Sequence, residues 1–409
     1  MAERQETGAL EAPARWPLTA RAAVGDLPAS KIREIANAGF GRTDLIRFWF
    51  GESNRPTPDY IKRAGVDAIA RDEVFYTHNN GREDLREALA GYLGGLHGRE
   101  FSPERTSVTS SGVSALMIAL QTLIEPGDRV VLVTPIWPNI AQIPEILGAH
   151  VERVAVAPGP AGWELDLDRL LGAVTPDTRV LILNSPGNPT GWTITREQQQ
   201  AILDHCRRLG VWILSDDVYE RLVLGEGAAN APSFFALADA RDRLIGANSF
   251  SKAWLMTGWR LGWLVAPEEL FADLGKVIEF NTSCVPGFVQ SAGIAALTKG
   301  EPHVRALRQE LTANRDKVLA HLSAMEGVEA PCPEGGMYAF VRVRGHGDSV
   351  ALARRLVAEA GLGLAPGAAF GPEGEGWLRW CFAAGGTDLD EGLARLARWV
   401  SDNRQQEQM

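Results

Sequence analysis

A chain of 409 residues exceeds one average domain, and 45% hydrophobic with 22% charged residues is the composition of a globular protein that buries a sizeable core without covalent staples. A net charge of −10 and a pI of about 5.4 argue against a nucleic-acid or anionic-membrane partner, yet leave room for a local basic pocket that holds a small anion. Cys206, Cys284, Cys332 and Cys381 lack CxxC or Cys/His spacing, so they read as thiols of a reducing compartment, and no metal is expected.

The polar N-terminal arm mixes acids and bases around no apolar segment, unlike a signal peptide. No stretch of the chain approaches the roughly 18 apolar residues of a membrane span, and a cytoplasmic protein is expected. A short helix is predicted over 27–39 with Ser30 as its N-cap. A helix over 83–98 follows, then a strand at 106–110 that runs directly into a helix at 113–124. Pro126-Gly127-Asp128 turns the chain into the apolar run 130–134, and further buried strands are predicted at 151–156, 180–184, 211–215, 244–248 and 263–266. A helix over 196–209 lies among them. Short Val/Ile/Leu runs alternating with helices indicate an α/β domain whose largely parallel sheet is covered on both faces. Beyond about residue 300 the pattern segregates: a long helix at 302–325, strands at 337–343 and 377–382, and helices at 349–360 and 388–400 indicate a smaller α+β domain. The expected division is an arm over 1–45 that packs with the small domain, a large domain over 46–300 and a small domain over 301–409.

The densest chemical signal is Asn248-Ser249-Phe250-Ser251-Lys252, followed by Gly258-Trp259-Arg260-Leu261-Gly262. A predicted strand ends at two hydroxyls and an amine, with a cation eight residues later on a glycine-flanked turn. Hydroxyls, Arg260 and backbone N–H groups suit a dianionic phosphate, because charge-assisted hydrogen bonds are strong and arginine binds bidentately. A lysine set among Ala253, Trp254, Leu255 and Met256 and near another cation would have a depressed pKa, as a Schiff-base lysine requires. Read alone, Lys252 fits a surface lysine on a Trp-rich helix start as well. The loop Asn184-Ser185-Pro186-Gly187-Asn188-Pro189-Thr190-Gly191 directly follows a strand, where open α/β sheets bind ligands. A rigid turn explains its prolines and glycines but not both asparagines. Asp216 and Tyr219 follow the next strand, and Asp216 by itself fits a helix N-cap equally. Ser110-Ser111-Gly112 offers N–H donors at a helix start, a ready phosphate site. Trp137, just past another strand, fits a core residue as readily as a ligand contact.

In this order, the Ser-Phe-Ser-Lys and Gly-Trp-Arg-Leu-Gly elements, the Asn-Pro-Thr-Gly loop and the Asp-x-x-Tyr pair resemble the class I/II aminotransferases, the aspartate-aminotransferase-like enzymes that use pyridoxal 5′-phosphate (PLP). The resemblance covers nearly the whole chain and implies a mainly parallel seven-stranded sheet plus a smaller C-terminal domain. It implies Lys252 as the Schiff-base lysine, with Arg260, Ser249 and Ser251 as phosphate ligands or their supports. Ser111, Gly112 and Val113 match the phosphate-cradling helix start, Val113 through its backbone alone. Asp216 resembles the carboxylate that keeps the pyridine nitrogen protonated, Tyr219 and Asn188 the donors to the ring oxygen, and Trp137 the aromatic stacked on the ring. Tyr76 matches the tyrosine that reaches the other subunit's cofactor, which implies a homodimer with shared active sites. Arg379 matches the clamp on the substrate α-carboxylate, although an ordinary strand arginine would look the same, and Gly51 the glycine lining that pocket.

The implied reaction is a ping-pong transfer of an amino group from an amino acid to a 2-oxo acid. A PLP-dependent C–S β-lyase, cyclopropane-forming synthase or oxidase would need the same lysine, aspartate and phosphate cup. A regulator built on this fold would need an N-terminal DNA-binding module, and only about fifty residues precede Gly51. Two departures from the dicarboxylate-specialised pattern stand out. Ile140 occupies the position of the histidine that often supports the pyridinium aspartate, and 281–293 contains no cation for a side-chain carboxylate. Phe48, Trp49 or Phe50 and the segment 284–288 are expected to line an apolar or mixed pocket, which favours neutral or aromatic donors over aspartate.

Overall fold

The computed structural model describes residues 18–225 and 227–407. Residues 1–17 of the expected arm lie outside the described residues. The larger sheet comprises β1 (Thr106–Thr109), β2 (Arg129–Thr134), β3 (His150–Ala155), β4 (Thr178–Asn184), β5 (Trp212–Asp216), β6 (Leu244–Ser249) and β7 (Gly262–Val265). They lie in the order β1-β7-β6-β5-β4-β2-β3. Both pairings of β7 are antiparallel and the other four are parallel, so six strands share one direction.

Both faces of this sheet are apolar because side chains alternate along each strand. Val130, Leu132, Val180, Ile182, Leu214 and Ile245 join one core cluster, which the helices Gly112–Leu123, Pro138–Ile146 and Phe271–Thr282 cover. Val131, Val133, Leu181, Leu183, Ile213 and Leu244 face the other cluster, packed under Glu83–His97 and Arg196–Leu209. The last of these helices begins in a capping box between Thr195 and Gln198 and ends at Gly210, whose φ of +72° is one that glycine adopts without penalty.

Tyr338–Val343 and Trp377–Cys381 form the centre of a second, four-stranded antiparallel sheet, flanked by Val328–Glu329 and Ala365–Pro366. The helix Lys31–Ala38, capped by Ser30 as expected, packs against Ser349–Arg355 and Ala365–Pro366, and Ile46–Arg47 pairs with Leu362–Gly363. The arm therefore meets the smaller sheet.

Several elements differ from expectation. The helix expected over 349–360 is α-helical only over Ser349–Arg355 and continues as a π-helical turn, Leu356–Ala360. The helices Asp59–Ala70, Pro138–Ile146, Phe271–Thr282 and Gly287–Lys299 were not anticipated. Gly287–Lys299 buries residues around much of its circumference, including Gly287, Val289, Gln290, Ala292 and Ala295, so no polar stripe marks its period. Pro144 sits inside Pro138–Ile146 and disguises that helix as a turn.

Candidate active site

Because six strands run the same way, their carboxyl ends gather on one edge of the sheet, where ligands bind in open α/β folds. A cavity of about 460 Å³ opens there, a size suited to a small-molecule cofactor with its substrate. Its lining includes Gly51, Gly112, Val113, Trp137, Asn188, Asp216, Tyr219, Ser249, Ser251, Lys252, Arg260 and Arg379. Of the residues expected to hold the cofactor or the substrate α-carboxylate within one chain, Ser111 does not line it.

One end of the cavity is built for an anion. The helix Gly112–Leu123 points its N-terminus there, and Ser111 caps it by accepting the Ser114 N–H at 3.1 Å. The Ser111 hydroxyl is thus engaged within the helix start, while Gly112 and Val113 face the cavity. Unpaired N–H groups and the helix dipole both favour negative charge at that position. Across from them the Ser249 hydroxyl donates to Ser251 Oγ at 2.9 Å, and Arg260 Nη1 donates to Thr257 O at 2.6 Å. Gly262 is obligatory here, since a Cβ would sit 2.7 Å from Gly112 N. Arg260 (φ +51°) and Ser111 (φ +144°) hold strained backbone angles, a cost of about 1–3 kcal/mol each that the surrounding packing must sustain.

Asp216 ends β5 and is 5% exposed. Its carboxylate accepts the Val218 N–H at 3.2 Å, and Asn184 Nδ2 donates to its main-chain oxygen at 3.1 Å. Burial pushes Asp216 up to about 7, with adjacent Asp217 raising it further and Lys252 drawing it down. Ile140 is fully buried in the apolar cluster, so the support for Asp216 is an asparagine and a main-chain amide. Lys252 lies in a turn just beyond β6, not at a helix start. Its Nζ donates to Gly51 O at 2.5 Å. Burial pushes Lys252 down to about 8, and the charges of Arg379 and Arg260 act in the same direction.

Arg379, on Trp377–Cys381, is 3% exposed. Nη1 donates to Asn188 Oδ1 at 3.0 Å and Nη2 to Trp49 O at 2.5 Å, while the buried Nε has no partner among the described residues. Its guanidinium stacks over Tyr338 at 4.5 Å and Phe370 at 4.9 Å. A buried arginine without a carboxylate partner is costly unless it awaits an anion.

Tyr338 was not expected from sequence. Its hydroxyl lies 2.7 Å from that of Tyr219, and burial raises both phenols, Tyr338 to about 12. Gly335-Gly336 ahead of a buried, aromatic-rich strand was the available signal, since the chain approaches the 184–191 loop there. Asn184 was visible as a strand-end polar residue; it bridges Asp216 O and the Asn188 N–H. One expectation is narrowed: Phe50 reaches the cavity, whereas Phe48 and Trp49 are buried in the core, Phe48 stacking on Trp380 at 4.7 Å. The segment 284–288 leads into Gly287–Lys299, which packs on Asp59–Ala70 and Glu83–His97.

Tyr76 is 91% exposed, beside other exposed apolar residues, Val74 and Phe75. Among the described residues no group of three or more His, Cys, Asp or Glu could hold a metal ion, and no helix is long and apolar enough to cross a membrane.

The family model for aminotransferase class I and II matches residues 44–396. A probable N-acetyl-LL-diaminopimelate aminotransferase of Bacillus subtilis (strain 168) is 31% identical over 93% of this chain and 95% of its own length. An aspartate aminotransferase of Pyrococcus horikoshii is 32% identical over 90% and 94%, respectively. Among solved structures, aspartate aminotransferase from Thermotoga maritima superposes with a TM-score of 0.87 at 29% identity, covering 93% of this chain and all (100%) of that one. The aromatic aminotransferase of Pyrococcus horikoshii gives a TM-score of 0.83 at 30% identity, covering 90% and 99%.

Proposed function

Since the chain belongs to the class I and II aminotransferases, a PLP-dependent family, we propose that it holds PLP on Lys252 and transfers the amino group of a neutral or aromatic amino acid to a 2-oxo acid. The observation that carries this reading is the meeting of Lys252, Asp216 and Arg379 around one cavity with an anion cup at its end. The fit to PLP rests on three features of the site. A buried carboxylate whose proton affinity is raised suits a cationic ring nitrogen, which would restore its charge. The helix start with Ser249, Ser251 and Arg260 suits a phosphate. Trp137 supplies an aromatic face, and Tyr219 and Asn188 supply donors for the ring oxygen.

When bound, PLP supplies an electron sink for the pair released at the substrate Cα. Arg379 holds the α-carboxylate, and its orientation is set by Asn188 and Trp49 O. Lys252, with its affinity for protons lowered, is a competent base near neutral pH and takes the Cα proton on Nζ. Gly51 O accepts from that amine and fixes where it points. Tyr338 presses against Gly51 and bonds Tyr219, so the lysine, the tyrosine pair and the arginine form one packed unit. The product leaves before the second 2-oxo acid binds, which gives ping-pong kinetics.

The exposed Tyr76 and its apolar neighbours are the contact of a homodimer in which Tyr76 serves the partner's anion cup. The enzyme acts in the cytoplasm, with an arm over 1–45, a large domain over 46–300 and a small domain over 301–409. A panel of donors against 2-oxoglutarate and pyruvate tests the activity. Parallel double-reciprocal lines are expected, while ammonia or pyruvate released from an amino acid without an acceptor would indicate a lyase or oxidase and refute the proposal.

A further inference from the structure

Asp217, Glu220 and His97 are buried beside the site, and the chemistry above uses none of them. A chain of hydrogen bonds ties Glu220 to the anion cup. Asn248 Nδ2 donates to Glu220 Oε1 at 3.0 Å, and Asn248 Oδ1 accepts the Ser249 N–H at 2.7 Å. Ser249 Oγ in turn accepts the Ser251 N–H at 3.1 Å and donates to Ser251 Oγ at 2.9 Å, one residue before Lys252. Ser249 also packs on the helix start, since a Cβ on Gly112 would lie 3.0 Å from Ser249 Cβ. Glu220 is itself clamped: its N–H donates to Asp217 O at 2.9 Å, and its carbonyl accepts the Ala231 N–H at 2.7 Å. The acceptor at Glu220 therefore decides which way the Asn248 amide faces, and with it the setting of Ser249.

We propose that Glu220 is a positioning residue of the anion cup: uncharged, it fixes Asn248 and through it Ser249 and Ser251, and so governs how tightly the cofactor's phosphate is held; this rests on the PLP reading above. The surroundings account for the missing charge. Asp217 Oδ1 accepts the Ser215 hydroxyl at 2.5 Å, a length typical of a hydroxyl bound to an ionised carboxylate. A second negative charge beside it would compete for a cation already engaged, because Arg221 donates to Glu301 Oε2 at 2.5 Å and to Tyr92 Oη at 2.9 Å. Burial pushes the His97 imidazole down to about 4, so it is neutral, and its Nε2 stands 3.8 Å from Glu220 Oε2. Burial and the Asp217 charge hold the Glu220 carboxyl well above the ordinary range, with Arg221 and Asn248 only partly opposing them. A neutral carboxyl still accepts from Asn248, and it adds no negative charge behind a cup that must take a dianion.

The test measures binding to the apoprotein, without turnover, in wild type, Glu220→Gln and Glu220→Leu. Glu220→Gln keeps an uncharged acceptor and should bind PLP and inorganic phosphate within about twofold of wild type. Glu220→Leu strands the Asn248 donor and should lose roughly tenfold for both ligands, the worth of one buried hydrogen bond. Pyridoxal, which lacks the phosphate, should bind all three proteins equally. Asn248→Ala breaks the same link from its other end and should match Glu220→Leu, a check that stands if the leucine variant fails to fold. A roughly tenfold loss in Glu220→Gln would show that a charge is needed there. Unchanged phosphate affinity in Glu220→Leu and Asn248→Ala, or an equal loss for PLP and pyridoxal, would show that Glu220 does not act through the cup. Each of these results overturns the role of Glu220 and leaves the PLP reading standing. Wild-type apoprotein that does not bind PLP overturns the PLP reading itself.

Discussion

Asp216→Asn removes a charge from a buried site while keeping its shape, and the site makes opposite demands on stability and function. In the cofactor-free protein the Asp216 carboxyl rises from an ordinary 3.8 to about 7, mainly through burial. That difference corresponds to a ceiling of ~4 kcal/mol against the charged form. Local relaxation and water entry reduce it, and we expect Asp216→Asn to stabilise the apoprotein by ~2 kcal/mol at pH 8. The sign follows from proton binding. Between pH 3.8 and 7 the folded carboxyl keeps a proton that the unfolded one has released, so wild-type stability falls with rising pH across that window and is level above it. The advantage of the asparagine is therefore complete above pH 7, shrinks as pH falls, and is gone near pH 4. Urea unfolding of both apoproteins at several pH values measures it. The same variant should lose at least ~100-fold in kcat as holoenzyme, because no charge is left to hold the ring nitrogen protonated. An apoprotein variant no more stable than wild type at pH 8, or a gain independent of pH, would refute this account of the site.

Gly51→Ala places a Cβ 2.1 Å from Tyr338 Oη, so kcat should fall ~10–100-fold, a misplacement effect on the lysine; adding Tyr338→Phe should restore part of it, and steady-state kinetics on the single and double variants decide. Mixing inactive Lys252→Ala and inactive Tyr76→Ala subunits should regain activity, since one hybrid site carries both residues; an active monomer in sedimentation at assay concentration would contradict the shared site. Neutral and aromatic donors should show higher kcat/KM than aspartate, as Phe50 and Trp137 line the cavity; a tenfold preference for aspartate over every neutral donor would overturn that expectation.

The parallel sheet was legible because its central strands carry apolar runs, as in Val130–Val133 within β2 and Val180–Leu183 within β4, closed by turn residues. Site residues at strand ends, Asp216, Asn188 and Lys252, were legible for the same reason: once the strands are located, topology dictates where their ends meet. What escaped was set by contacts between distant segments. Tyr338 belongs to the site only because the smaller sheet folds over the 184–191 loop, with Glu334 and Gly335 bonding Gly191 O. Arg33 and Ile32 reach the cavity because their helix is held by Ser349–Arg355, more than 300 residues away in sequence. Phe48, Trp49 and Phe50 were indistinguishable as neighbours, and only the packing on Trp380 decides which one faces the cavity. Helices without a polar stripe, such as Gly287–Lys299, give periodicity nothing to detect.

The central claim is that Lys252 carries the cofactor, and borohydride reduction followed by peptide mass spectrometry tests it most directly. Among the described residues Lys252 is the only lysine lining the cavity. A reduced phosphopyridoxyl group there would block tryptic cleavage after Lys252, so the label should appear on the peptide spanning 244–260, between Arg243 and Arg260. Label on Lys31, Lys62, Lys276, Lys299 or Lys317 instead, or an unlabelled 244–252 peptide from active enzyme, would contradict the account.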